Sequence, residues 1–117
     1  MSIIYKYKLD FQKPIGLELH SQYEITHAAM QGGEPYLWVK TEPVIGPRRV
    51  VEFYIVGTGQ EFSSKDNVLV TFFDGDLTWH LVQARKPLQA EVINRNEGTL
   101  GLEDDIPIDP LEALKKK

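Results

Sequence analysis

Apolar and polar side chains alternate along most of this sequence, a pattern that predicts strands rather than helices. The clearest case is residues 48–59, RRVVEFYIVGTG, where Val51, Phe53 and Ile55 alternate with a second, nearly apolar set. A strand with two largely apolar faces is expected to be covered on both, so it is predicted to be central in its sheet. The GTG of residues 57–59 ends it, and the glycines suit either a tight corner or a close approach to a ligand.

Further strands are predicted on both sides of this segment. Residues 17–30 indicate one or two of them, with a short helix over 24–30 as the alternative. An Asp-Gly pair at residues 74–75, between two apolar runs, predicts a tight hairpin of type I′. Five or six strands with frequent turns indicate an all-β protein, either a small antiparallel sandwich or a partly open barrel. The other strands are predicted at 3–9, 36–40, 68–73 and 77–82.

The pattern weakens after residue 84, which divides the chain into an antiparallel β domain over 1–84 and a C-terminal arm over 85–117. Within the arm, residues 92–93 and 99–100 are the two sides of a predicted small hairpin. A short helix is predicted near 109–116, because Asp109 can cap it and proline suits its first position. So short a helix needs docking to be stable, on the body of the protein or on a partner.

Composition limits the function more than it reveals it. The net charge of −4 and the pI of about 5.3 predict no general binding of nucleic acid, although a local basic patch stays open. The absence of cysteine fits a reducing compartment, and no apolar run is long enough to predict a membrane span. The expectation is a cytoplasmic protein.

A ligand site is predicted around the central strand. An arginine beside aromatic side chains offers a bidentate contact to phosphate and a surface for stacking a base. The bland alternatives are that the tryptophan is a core or rim aromatic, that the histidine is a hydrogen-bonded strand residue, and that the arginines solvate a strand end. The candidate ligand-binding residues are Trp38, Arg48, Arg49, Tyr54, Thr58 and His80.

No catalytic or metal-binding constellation is predicted, and no cofactor. The three histidines have no spacing typical of zinc ligands. The GTG segment lacks the further glycines and the following helix of a phosphate loop. His80 as a general acid or base is the one enzymatic hypothesis that the residues leave open.

The arm supplies the candidate partner-binding residues. Residues 102–108, LEDDIPI, are similar to the acidic tip by which bacterial single-stranded-DNA-binding proteins recruit partners. In that family the tip ends the chain on an aromatic residue, whereas here nine residues follow Ile108. A solvated linker is the alternative. The partner-binding candidates are Asp104, Asp105, Ile106, Leu111 and Leu114.

Residues 3–83 resemble an uncharacterised family of small proteins encoded by tailed bacteriophages. The resemblance rests on four segments in order: YKY at 5–7, QGGEPYLW at 31–38, FYIVGTG at 53–59 and TWH at 78–80. It implies a phage origin, action in the host bacterial cytoplasm, and no assigned activity.

That origin favours a non-enzymatic binding protein for counter-defence or host takeover. It would sequester a nucleotide signal or block a host protein, and a homo-oligomer is expected. The alternatives are an accessory structural or DNA-metabolism protein that docks through its C-terminal arm, and a nucleotide-processing enzyme.

Overall fold

A computed structural model describes residues 1–42 and 46–95, which form two β-sheets stacked as a sandwich. Alternation in the sequence produces these strands because successive side chains of a strand point to opposite faces. The strands are β1 (Ile3–Lys8), β2 (Ile15–Leu19), β3 (Tyr23–Gln31), β4 (Glu34–Thr41), β5 (Arg49–Gly57), β6 (Asn67–Asp74), β7 (Leu77–Gln83) and β8 (Glu91–Val92).

The prediction of an all-β fold is confirmed, and of the two architectures the sandwich is the one that forms. One sheet has three strands in the order β1-β4-β3, and the other has five in the order β6-β7-β5-β2-β8. The helix considered for residues 24–30 is wrong, since that segment lies within β3 and pairs with β4. The described residues form eight strands instead of five or six, because residues 17–30 divide into two and because β8, which overlaps the predicted 92–93 segment of the arm, joins the larger sheet.

β5 is the central strand, as predicted, with β7 on one side and β2 on the other. Its inward residues Val51, Phe53 and Ile55 belong to the core between the sheets. On its outward face, Glu52 and Val56 are also buried. Both faces of β5 are therefore covered, which explains why its sequence is apolar on both sides.

Two tight turns that contain glycine join adjacent strands, one in each sheet. β6 and β7 are joined by Gly75 and Asp76, so the tight hairpin is confirmed, but only Gly75 has a positive φ, of 60°. That pattern is a type II′ turn rather than the predicted type I′. The type I′ pattern occurs between β3 and β4, where Gly32 and Gly33 have φ values of 61° and 83°.

The chain stays on the sandwich beyond residue 84, where the alternation weakens. The N–H of Ala84 donates to the carbonyl of Glu52 at 2.9 Å, and β8 adds to β2 as a parallel strand. The N–H of Ile93 then donates to the carbonyl of Gly16 at 2.9 Å. The folded unit thus extends at least to residue 95, with Val92 paired to Gly16 of β2. The predicted hairpin between residues 92–93 and 99–100 lies partly outside the described residues.

The rest of the predicted arm lies outside the described residues. This applies to the helix near 109–116 and to the partner-binding candidates Asp104, Asp105, Ile106, Leu111 and Leu114. Within residues 1–42 and 46–95, no helix has the length and apolar character needed to cross a membrane.

Candidate functional site

The outward face of the three-stranded sheet carries a tryptophan with a lysine on one side and a histidine on the other. Leu37 and Val39 point into the core, so Trp38 between them points outward. Strand register places Lys6 of β1 and His27 of β3 directly opposite Trp38 on its two sides. Residues two positions away from Lys6 and Trp38 on β1 and β4 add two more lysines and a tyrosine to the same face. We call this surface the Trp38 face and define it as Lys6, Lys8, His27, Tyr36, Trp38 and Lys40.

Lys6 holds its ammonium above two of these rings. Its Nζ lies 4.1 Å from the centre of the Tyr36 ring and 5.6 Å from that of Trp38, which are cation–π distances. The same nitrogen donates a hydrogen bond to the side-chain oxygen of Gln31 on β3. An ammonium has three donors, so Lys6 keeps others for an anion beside the Trp38 ring.

A β-bulge brings His27 to Trp38. The register shifts between Ile25 and His27, which makes Thr26 the extra residue, and its hydroxyl donates to the Trp38 carbonyl at 3.3 Å. The imidazole of His27 lies 5.5 Å from the Trp38 ring centre at an interplanar angle of 41°. Bulges commonly redirect a side chain in this way. Here the bulge places a second, exposed π-surface next to the tryptophan.

His80 lies on the outward face of the other sheet, between two threonines. Its Nε2 lies 2.9 Å from the hydroxyl of Thr58, and its Nδ1 lies 2.9 Å from the hydroxyl of Thr71. A neutral imidazole donates through one nitrogen and accepts through the other, which two hydroxyls can satisfy. The geometry is that of the hydrogen-bonded strand histidine considered above. No carboxylate hydrogen bonds to this ring among the described residues.

Tyr54 is committed to a contact within the protein. Its hydroxyl donates to one carboxylate oxygen of Asp66, and the other oxygen accepts the N–H of Arg85 at 2.8 Å. Burial, the hydrogen bond and the charge of Asp66 together raise the pKa of Tyr54 above its usual range. The same hydrogen bond, with that from Arg85, lowers the pKa of Asp66. This pair fastens the β5–β6 loop to the sheet.

A groove of about 450 Å³ lies beside the second half of β5. β2 begins at Ile15, opposite Phe53, so the rest of β5 has no strand on that side and the 11–14 connection lines the groove instead. Phe62 and Leu88, 40% and 44% exposed, form part of its walls.

The two arginines lie at the opposite end of β5 from His80. Arg48 donates from Nε to Nε2 of His20 at 3.3 Å, while Nδ1 of His20 lies 3.2 Å from the carbonyl of Pro47. Since a carbonyl only accepts, the proton of His20 resides on Nδ1. Arg49 begins β5, and His80 pairs with Val56, seven positions further along and roughly 23 Å away at 3.3 Å per residue.

The structure therefore does not unite the six predicted ligand-binding residues in one site. Trp38 lies on the outward face of one sheet, while Tyr54, Thr58 and His80 belong to the outward side of the other, with the core between them. The arginines lie at the end of β5 opposite to His80 and Thr58. Trp38 is the candidate whose surroundings have the predicted chemistry, supplied by lysines rather than arginines.

The reason for the split is that strand pairing cannot be read from one sequence. Lys6 was recognisable as an outward lysine of β1, and Tyr36 shares its face with Trp38 by alternation. The pairing of β1 with β4, and the bulge that aligns His27, depend on tertiary packing. Within the described part of the chain, no three acidic or histidine side chains are grouped so as to hold a metal ion.

The fold and this surface define a class: a small two-sheet sandwich with an open sheet face that carries aromatic and basic side chains. The chain belongs to the family described as Domain of unknown function (DUF7352), whose match covers residues 1–91. That range runs past residue 84 into β8, in agreement with the folded unit seen here. No curated protein and no solved structure matches the chain.

Proposed function

We propose that this protein is a non-enzymatic binding protein whose ligand carries a nucleobase and phosphate, held on the Trp38 face. The resemblance to small phage proteins supports a role in counter-defence or host takeover, in which the protein acts by sequestering its ligand in the bacterial cytoplasm. The observation that carries the proposal is the ammonium of Lys6 poised above the Tyr36 and Trp38 rings on a solvent-facing sheet.

The chemistry of this face suits both halves of such a ligand. A half-buried indole on an outer sheet face stacks a base through dispersion and electrostatics, and a lysine within 6 Å of the ring reaches a phosphate attached to that base. His27 adds a third group that can stack or, when protonated, pair with an anion. Because Lys6 already lies above the rings, its remaining N–H donors can reach a phosphate without any rearrangement of the strands.

The hydrogen bonds of His80 support the proposal that the protein is not an enzyme. Both ring nitrogens are engaged by threonine hydroxyls at 2.9 Å, and a general base needs one of them for the substrate. Incubation with nucleotides should leave them chemically unchanged. Turnover that disappears in His80→Gln would replace this proposal with the enzymatic alternative.

Isothermal titration calorimetry tests the binding site itself. Nucleoside mono- and triphosphates, dinucleotides and short oligonucleotides are titrated into the wild type, Trp38→Ala and Lys6→Ala. The matched controls are Phe73→Ala, an aromatic 64% exposed on the other sheet, and Lys65→Ala, an exposed loop lysine. Loss of binding confined to the first two variants supports the proposal, and equal binding by all five proteins contradicts it.

Blocking of a host protein is a second candidate, favoured by the groove beside β5 and its exposed Phe62. A pull-down from host lysate compares the wild type with Phe62→Ser and Trp38→Ala. A protein lost only with Phe62→Ser, and identified by mass spectrometry, would place this function at the groove. A protein retained by both variants would exclude both surfaces as its binding site.

A further inference from the structure

We infer that the ligand class of the Trp38 face is single-stranded nucleic acid rather than a free nucleotide. The inference rests on the proposed function, because it names the ligand of the same surface. Three properties of that surface carry it: its flatness, the arrangement of its π-surfaces, and the number of its lysines that are open to phosphate.

The face is open, not concave. It spans three strands, roughly 10 Å across at the usual strand spacing, and about 13 Å along β4 from Lys40 to Tyr36. Sites for small molecules are normally concave and bury most of the ligand. A free nucleotide lying on the outer face of this sheet would touch the protein on one side only. A single-stranded nucleic acid, by contrast, gains affinity from several successive contacts that are each one-sided.

The π-surfaces are placed to take neighbouring bases. Trp38 is central, and His27 lies beside it at 5.5 Å between ring centres, exposed on the next strand. Aromatic and imidazole rings on adjacent strands of an open sheet are a common arrangement for stacking the bases of a single strand. Tyr36 is covered by Lys6 and acts instead to hold that ammonium in place.

The lysines of the Trp38 face favour a nucleic-acid strand whose phosphates pass over them. The chain as a whole has a net charge of −4, but this face has three lysines and, beside them, the carboxylates of Glu24 and Glu34. Lys8 forms an ion pair with Glu34 at 3.7 Å, and Glu24 lies directly opposite Lys40 in the strand register. Lys6 is therefore the principal phosphate contact, and Lys40 is the second. Two contacts predict a shallow slope of log K against log salt, about −1.4 for single strands. Stacking is expected to dominate the affinity.

A duplex does not fit this arrangement, because its bases are stacked on each other and its grooves do not expose them to a flat surface. The sequence-based expectation of no general nucleic-acid binding came from the overall charge. It does not apply to a ligand held mainly by stacking, with cations supplied locally by β1 and β4.

Fluorescence anisotropy of the full chain with a labelled single-stranded DNA 12-mer of mixed sequence tests the inference. Unlabelled competitors are the same DNA, the RNA of the same sequence, the DNA duplex, a dinucleotide, and the nucleoside monophosphates and triphosphates. We expect competition to strengthen from monomer to a length of about three or four nucleotides, with the duplex weakest. Trp38→Ala should weaken binding about 5- to 150-fold, the loss of one stacked base. Phe73→Ala should leave it unchanged.

The outcomes separate the inference from the proposed function. A mononucleotide or dinucleotide that competes as well as the 12-mer, or that binds in isothermal titration calorimetry when the 12-mer does not bind, overturns the inference and leaves the proposed function standing. Binding of neither, or strand binding unaffected by Trp38→Ala, overturns both. Preference between DNA and RNA identifies the source of the strand. Lys6→Ala should also make the salt slope shallower by about 0.7 relative to Lys65→Ala, and an unchanged slope contradicts the assigned phosphate contact.

Discussion

One carboxylate oxygen of Glu52 accepts the backbone N–H of Ala90 at 2.8 Å, and the other accepts the N–H of Leu88. Glu52 is 7% exposed on the central strand, so a single buried acid ties the segment after β7 to the sheet. Its backbone carbonyl adds a third bond to the same segment, from Ala84. We call these three bonds the Glu52 clamp; they hold the segment that leads into β8 against the sheet.

Glu52→Gln should therefore destabilise the protein. An amide has only one acceptor oxygen, so one of the two part-buried N–H groups loses its partner, at a cost of about 1 kcal/mol. Urea unfolding followed by circular dichroism measures the change in free energy. The control is Glu18→Gln. Glu18 is an exposed residue of β2 on the same face of the sheet as Glu52, and its replacement should change the free energy of unfolding little. Equal effects of the two changes would contradict the clamp.

A chain that ends at residue 95 should fold, whereas one that ends at residue 84 should be much less stable. The shorter chain removes β8 and both N–H groups that the Glu52 side-chain oxygens accept, and it uncovers the outward face of β5 beside Glu52. Thermal unfolding of the two truncations and the full chain measures the difference. Equal melting temperatures for the two truncations would show that residues 85–95 contribute nothing to the folded unit.

Tyr54→Phe should reduce the dependence of stability on acid pH. The hydrogen bond from Tyr54 is the largest cause of the lowered pKa of Asp66. A pKa lowered by folding adds stability that is fully present above the unfolded value, about 3.9, and is lost as pH falls through the folded value. The stability difference between wild type and Tyr54→Phe should thus be larger at pH 7 than at pH 3.

Urea unfolding at both pH values makes this comparison, with Tyr36→Phe as the control. Tyr36 keeps its ring under Lys6 in that variant, and its difference from the wild type should not change with pH. If Tyr54→Phe behaves in the same way, the Tyr54–Asp66 contact does not account for the lowered pKa.

Gly59→Ala should cost about 1–2 kcal/mol of stability. Gly59 has a φ of 92° at the corner after β5, where the N–H of Gln60 donates to the carbonyl of Gly57 at 3.0 Å. An L-residue pays a steric cost for a positive φ even though nothing lies within 4 Å of the added carbon. Gly46→Ala, also in open space but without a positive φ, should be nearly neutral. The pair, measured by urea unfolding, separates backbone strain from crowding.

The corner at residues 57–59 also shows how far sequence reasoning reached. Of its two interpretations, a turn and a ligand contact, the turn is present, closed by the Gln60 bond to Gly57. The sequence did not indicate a second reason for glycine at position 57. An added carbon there would lie 3.2 Å from the Trp79 ring. That ring comes from β7, and its approach depends on how the sheet is assembled.

The sequence by itself determined the local structure: β5 as a central strand, the hairpin at Gly75, and Trp38 on the opposite side of β4 from Leu37 and Val39. These follow from alternation and glycine, which act between neighbours in the chain. Only the tertiary structure decided which strands meet. The pairing of β1 with β4 placed Lys6 beside Trp38, and the two-sheet stacking placed His80 on the far side of the core. Such pairings depend on the packing of the whole core, so no single segment encodes them.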